Sequence, residues 1–249
     1  MEKFNDYLPQ QISGKNVLVT GGTTGIGRAT ALLLSSLGAN VIVAGLHEEH
    51  LWETLDDIEP AAAGKVHGVL ADLATESGIN KLFADTAARF GKLDILINNA
   101  ALPFGTTGEG NYGEWHRAVA TNLLAYMACC AEAMKLMPGE GHIVNIGSMS
   151  ANVREETGSV YVATKSGVQG FSESLRKSAN RQGIKVTLIE PGAVDTDMQP
   201  ESGPEKLKKV KAMEMLAADD IAMSVLYCLS QPKRCDIVEL KIRPHLQLI

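Results

Sequence analysis

The chain has 249 residues, a length that suits one α/β domain with a sizeable core. Its 23 basic and 29 acidic residues leave a formal net charge of −6 without a basic run, which argues against a nucleic-acid partner. It holds no stretch of about eighteen apolar residues, so no membrane span is expected, and Met1–Asp6 lacks a charged-then-apolar leader pattern.

Residues 1–14 read as an N-terminal extension. The first predicted strand, 16–20, is Asn16-Val17-Leu18-Val19-Thr20. It runs into Gly21-Gly22-Thr23-Thr24-Gly25-Ile26-Gly27 and a predicted helix over 25–37. In a strand, glycine turn and helix of this kind, the glycines let backbone approach a ligand. The helix start then offers free N–H groups and a positive dipole end to phosphate. A second strand, 40–45, ends at Gly45 and is followed by a helix over 47–58. A third, 65–70, leads to Asp72-Leu73 and a helix over 75–90, which Asp72 is placed to cap. The fourth strand, 93–97, is followed by Asn98-Asn99-Ala100-Ala101. A long helix over 113–137 contains Asn122, a poor residue for a helix interior.

A fifth strand, 142–147, ends just before Ser148. The helix over 160–182 carries Tyr161 and Lys165, and the sixth strand, 185–190, leads to Pro191-Gly192. Residues 192–217 hold Gly, Pro and many charges but no clear strand. A loop of that length is usually functional, such as a lid, although a plain surface excursion is the alternative. A helix over 218–230 and a strand over 236–242 close the chain. The strands are short and rich in Val, Ile and Leu, as parallel strands buried on both faces are. The alternation predicts one α/β domain spanning 1–249, a doubly wound, mainly parallel seven-stranded sheet with helices on both faces, the Rossmann fold.

Tyr161 and Lys165 lie at i and i+4 and so share a helix face. A free phenol has a pKa of about 10, and a cation held beside it lowers that value. With Ser148 steadying a carbonyl or alcohol oxygen, the three make a proton-transfer device. The four cysteines, Cys129, Cys130, Cys228 and Cys235, have no metal-ligand spacing. They read as reduced, structural thiols in a cytoplasmic protein, and no metal is expected.

Six motifs occur in one order: Thr20-Gly21-x-x-x-Gly25-x-Gly27, Asn98-Asn99-Ala100, Asn122, Ser148, Tyr161-x-x-x-Lys165 and Pro191-Gly192. In residues and spacing the chain resembles the short-chain dehydrogenase/reductase family, from about Gly14 to its end. The resemblance implies a catalytic set of Asn122, Ser148, Tyr161 and Lys165. It implies that Tyr161 passes the proton, that Lys165 holds the nicotinamide ribose, and that Asn122 holds a water linking Lys165 to solvent. It implies a dinucleotide held by Gly21, Thr23, Thr24, Gly25, Ile26 and Gly27 at the phosphates, and by Gly45, Leu46 and His47 at the ribose. Asp72 and Leu73 then lie at the adenine, Asn98 and Ala100 along the cleft, and Pro191, Gly192, Val194 and Thr196 at the nicotinamide. Ala101 stands where the family usually has glycine, and its methyl narrows that space.

The family's usual acid for the ribose 2′-hydroxyl is replaced by Gly45, and the arginine common in phosphate-binding members by Leu46. NADP is therefore expected, with NAD not excluded: Thr23, Thr24, His47 and Arg28 are within reach of a 2′-phosphate, while Glu48 and Glu49 oppose one. The expected reaction moves a hydride between nicotinamide and a small carbonyl or alcohol substrate. Ala101, Leu102, Met149, Val153, Arg154, Gly192, Ala193 and Met198 are placed around that substrate. Arg154 is either an anion contact or a solvated surface arginine. The tail through Arg243-Pro244 and Gln247 resembles a subgroup acting on hydroxy acids or small ketones, and the low aromatic content (5%) disfavours a steroid pocket. Helix 113–137 is apolar on more than one face, through Leu123, Leu124, Tyr126, Met127, Cys130, Met134 and Met137, which predicts a homodimer or homotetramer. Two rivals remain. A non-catalytic dinucleotide sensor needs no serine and tyrosine so placed. A sugar-nucleotide epimerase or dehydratase needs a longer C-terminal substrate domain than the stretch after Pro191 provides.

Overall fold

The structure, a computed structural model, describes residues 11–247, so most of the 1–14 extension lies outside the described residues. Seven strands form one sheet: β1 (Asn16–Thr20), β2 (Asn40–Gly45), β3 (Val66–Leu70), β4 (Ile95–Asn98), β5 (Gly141–Ile146), β6 (Ile184–Pro191) and β7 (Glu239–Ile242). Their order is β3-β2-β1-β4-β5-β6-β7, and every neighbouring pair is parallel. The helices are α1 (Gly25–Ser36), α2 (Glu48–Ile58), α3 (Glu76–Phe90), α4 (Tyr112–Val119), α5 (Ala125–Lys135), α6 (Ser150–Val153), α7 (Ser159–Ala179), α8 (Gly203–Lys211) and α9 (Ala218–Leu229).

Successive strand residues face opposite sides, so each buried strand feeds two cores. Val17 and Val19 of β1 and Val41 and Val43 of β2 pack with Leu34, Leu51, Leu55, Ile221 and Val225. Leu18 and Ile42 between them face the other way, onto Leu82, Phe83, Leu96, Cys130 and Met137. Burying one such side chain contributes roughly 1.5–3 kcal/mol, which is why the all-apolar strand runs form without an amphipathic signal.

From β1 the chain winds outward through β2 to β3, and from β4 it winds the other way through β5 to β7. The carboxyl ends of β1 and β4, side by side in register Val17↔Ile95 to Val19↔Ile97, are the point where such a fold opens a ligand crevice.

Three expectations are corrected. The helix expected over 113–137 is broken: α4 stops at Val119, a π-helical turn covers Ala120–Leu124, and α5 resumes at Ala125. Segment 192–217 is not a featureless loop. It contains α8, started by Pro204 and by Glu205 accepting from Ser202 N at 3.0 Å. Because α8 buries no residue, it carries no apolar stripe to reveal it. The last strand begins at Glu239 rather than at 236.

Candidate active site

Two cavities open along the carboxyl edge of the sheet, one of about 960 Å³ and one of about 340 Å³, with Ile26, Asn99, Ala101, Pro103 and Met198 common to both walls. The turn after β1 shapes their junction. Gly21 (φ +59°) and Gly25 (φ +48°) adopt the left-handed backbone that favours glycine. A Cβ on Gly27 would lie 2.1 Å from Gly21 O, so α1 can only approach the turn this closely without one. Thr24 precedes α1 without a side-chain cap, and no acid occupies the first turn. The first N–H groups of α1 are thus open to an anion, and the cradle fits a pyrophosphate. Asn99 fastens it from below, its Nδ2 donating to Gly21 O at 2.9 Å and to Thr20 O at 3.2 Å.

Gly21, Thr23, Thr24, Gly45, Leu46, His47, Asp72, Leu73 and Ala100 all line the smaller cavity. So do His50 and Arg117, which sequence reasoning missed because no motif spacing ties them to the turn. A Cβ on Gly45 would sit 2.4 Å from Thr23 Cγ2, so a larger residue there displaces Thr23. Asp72 does not cap α3. Thr75 does, accepting from Gly78 N at 3.1 Å, while Asp72 accepts from Ala74 N at 3.0 Å and pairs with Arg117 at 3.2 Å. Arg28 is paired with Asp57 across α1 and α2, away from the role of phosphate partner.

Asn98 also departs from expectation. It is 1% exposed, and its amide donates inward to Asn145 Oδ1 (3.0 Å), Cys130 Sγ (3.2 Å) and Tyr126 O (3.4 Å). The next residue, Asn99, is the one on the cleft wall.

Ser148, Tyr161, Lys165, Pro191, Gly192, Val194 and Thr196 meet on the wall of the larger cavity. Ser148 follows β5, and its Oγ accepts from Ser150 N at 3.1 Å. Tyr161 and Lys165 lie one turn apart on α7. Lys165 Nζ donates to Ile146 O at 2.8 Å and to the Tyr126 hydroxyl at 3.5 Å, and stands 5.7 Å from the centre of the Tyr161 ring. Burial pushes Lys165 down to about 7.

The phenol does not show the lowered pKa expected from a neighbouring cation. Burial pushes Tyr161 up to about 12, the Ser148 hydrogen bond pulls it back, and the charge of Glu155 raises it further. The reason is enclosure: desolvation disfavours both the phenolate and the ammonium. Tyr126, a buried neighbour missing from every sequence motif, donates to Ile146 O at 3.1 Å and so shares the acceptor of Lys165.

Asn122 sits in the π turn, fully buried. Its Oδ1 accepts from Leu102 N at 2.7 Å and its Nδ2 donates to Leu102 O at 2.8 Å. Both ends of the amide therefore hold the loop after β4.

Of the residues expected around a substrate, Ala101, Met149, Gly192, Ala193 and Met198 line the larger cavity, and Leu102 the smaller. Val153 and Arg154 lie on neither wall; Arg154 is exposed, with φ +56°. The larger cavity also presents Gln247 of the tail pattern, and Phe104, Glu109, Glu155 and Gln199, none of which has a motif to announce it. Lys206 of α8 ties the segment beneath, contacting Asp195 and Thr196 O, each at 3.1 Å.

Known proteins resemble this chain in sequence and fold. The family model for short chain dehydrogenases matches residues 15–207. An uncharacterized oxidoreductase of Staphylococcus epidermidis is 32% identical over 237 residues, 94% of this chain and 99% of that protein. A solved short-chain dehydrogenase/reductase of Serratia marcescens superposes with a TM-score of 0.84 at 28% identity, covering 96% of this chain and all of that one. A short chain dehydrogenase of Burkholderia cenocepacia, solved in complex with NADP, gives 0.84 at 28% identity over 94% of this chain and 98% of its own. The chain belongs to the short-chain dehydrogenase family of oxidoreductases.

Proposed function

We propose that the protein reduces a carbonyl compound to an alcohol, and runs the reverse oxidation, with NADP(H) as its cofactor. The observation that carries this reading is the meeting of Ser148, Tyr161 and Lys165 on one cavity wall, beside an uncapped helix start framed by glycines. Bound NADPH supplies the hydride. Gly21 to Gly27 would hold its pyrophosphate, Lys165 the ribose near the nicotinamide, and Thr196 with Val194 the nicotinamide end.

Tyr161 gives its hydroxyl proton to the carbonyl oxygen as the carbon is reduced. A phenol pushed up to about 12 is protonated at neutral pH and so is ready to donate. Ser148 Oγ–H donates to the same oxygen while it carries negative charge. Solvent then returns a proton to Tyr161, and in the reverse direction Tyr161 accepts the proton of the alcohol.

NADP(H) is favoured over NAD(H) because no carboxylate stands at Gly45, and Thr23, Thr24, His47 and His50 line that end of the groove. The NADP complex of the Burkholderia cenocepacia relative supports the choice. The free cysteines are consistent with a cytoplasmic protein, which belongs to the same proposal together with a homodimeric or homotetrameric assembly.

Tyr161→Phe tests the chemistry. Turnover should fall at least about a hundredfold, the low end for a lost general acid, while NADPH binding, followed by calorimetry, stays close to wild type. Retained turnover sinks the assignment. Michaelis constants for the two cofactors test the other half: a lower value for NADPH is expected, and a strong preference for NADH overturns it.

A further inference from the structure

Glu155 stands between α6 and α7, on the wall that also carries Ser148 and Tyr161. Its stem packs against Gly158, where a Cβ would meet Glu155 Cγ at 3.7 Å. Its Oε1 accepts from Ser150 Oγ at 2.5 Å, and Ser150 N donates to Ser148 Oγ at 3.1 Å. The carboxyl is thus locked two hydrogen bonds away from the hydroxyl that receives the substrate oxygen. Its other oxygen, Oε2, is enclosed and has no hydrogen-bond partner among the described residues. A carboxylate oxygen so placed calls for a donor.

The cations that could reverse this preference are committed elsewhere. Arg154, beside Glu155 in sequence, is exposed and off the wall. Arg243 donates to Glu190 O and Ile242 O. Lys165 is the one lysine or arginine lining the larger cavity among the described residues, and its Nζ serves Ile146 O, Tyr126 and, in the reading above, the cofactor ribose. Glu109 adds a second acid to the same wall.

We propose that Glu155 selects the substrate by chemical class: carbonyl compounds bearing an ammonium or hydroxyl group one or two carbons from the carbonyl are taken, and carboxylates at that place are rejected. This rests on the carbonyl-reducing reading above. When Tyr161 and Ser148 hold the carbonyl oxygen, a turn of the Glu155 carboxylate brings the enclosed Oε2 to the donor of the neighbouring group, and a charge-assisted hydrogen bond satisfies it. A carboxylate in the same place meets a like charge in an enclosed site. Of the hydroxy acids and small ketones that the Arg243-Pro244 and Gln247 resemblance implies, the acids are thereby disfavoured.

A matched ketone series tests it: acetophenone, 2-hydroxyacetophenone, 2-aminoacetophenone and benzoylformate, offered with NADPH to wild type and to Glu155→Gln. The glutamine keeps an oxygen for Ser150 and removes the charge. In wild type, kcat/KM relative to acetophenone should be highest for the amine, then the hydroxyl, and lowest for benzoylformate. In E155Q the amine-to-acetophenone ratio should fall about tenfold, the scale of one charge-assisted hydrogen bond, and the benzoylformate ratio should rise. Unchanged ratios, or a wild-type preference for benzoylformate, overturn the proposal. Calorimetric binding of 2-aminoacetophenone and benzoylformate to the NADP-loaded protein separates the two readings. Tighter amine binding that is lost in E155Q, without turnover of any ketone, supports Glu155 and removes the reductase reading. Turnover with equal binding does the opposite.

Discussion

Lys165 is 2% exposed, held between Ile146 O and Tyr126, and burial pushes it from 10.5 down to about 7. The unfolded chain keeps its lysine protonated to about 10.5, so between pH 7 and 10.5 the unfolded state binds more protons than the folded one. Stability from this group therefore rises with pH across that window, and the full cost of burying the charge is felt below about 7. Each unit of difference is worth about 1.4 kcal/mol. Lys165→Met removes both the cost and its pH dependence. In urea titrations, wild type should gain stability relative to K165M by a few kcal/mol between pH 7 and pH 10. A gap between the two that does not move with pH would show that Lys165 is not titrating in this window. Spacing put Tyr161 and Lys165 on one helix face, and the other motifs in their order made them a functional pair. Their mutual titration was not, because spacing reports a shared face and says nothing about how completely Tyr126, Ile146 and Glu155 enclose it.

The π turn at Ala120–Leu124 is the element through which the long helix touches the site. Asn122 there clamps Leu102 by two hydrogen bonds, 2.7 and 2.8 Å, and Leu102 lines the smaller cavity. Asn122→Ala leaves a backbone N–H and a backbone C=O of Leu102 without those partners. An unmade buried bond costs about 1–3 kcal/mol, so the melting temperature should drop by several degrees and NADPH affinity should fall with it. Calorimetric melting checks the first and titration the second; an unshifted melting temperature would mean that the clamp holds nothing. The sequence read the helix as continuous because its apolar positions run on through the turn, and the one sign of a break was an asparagine in a helix interior. The strands were far more legible. Runs such as Val17-Leu18-Val19 and Leu96-Ile97 are apolar throughout, as strands covered on both faces must be. Helix α8 was invisible for the opposite reason: it buries no residue, and only Ser202, Pro204 and Glu205 mark its start. Glu155 was equally silent, since a single acid in a connecting loop has no period to betray it.

At the scale of the molecule, α4 and α5 carry apolar side chains in two directions. Tyr126, Cys129, Cys130 and Met137 are buried against the sheet. Val119, Leu124 and Met127 are 42%, 56% and 37% exposed. One π turn separates Val119 from Leu124 and one α turn separates Leu124 from Met127, so the three fall along one outer stripe. Single exposed apolar residues need no explanation, but a contiguous stripe on a helix already anchored by its other face suits burial by a second copy of the chain. A closed dimer would bring the stripe of one protomer onto the same stripe of its partner. Sedimentation equilibrium at micromolar concentration should therefore give twice or four times the mass of the chain. Leu124→Glu with Met127→Lys should shift that mass downward, because charge placed on such a stripe must be desolvated for the copies to meet. The substitutions lie at exposed positions of the π turn and α5, so the melting profile of the dissociated variant separates lost assembly from lost folding. A wild-type mass equal to one chain would leave the stripe a plain solvent-facing surface.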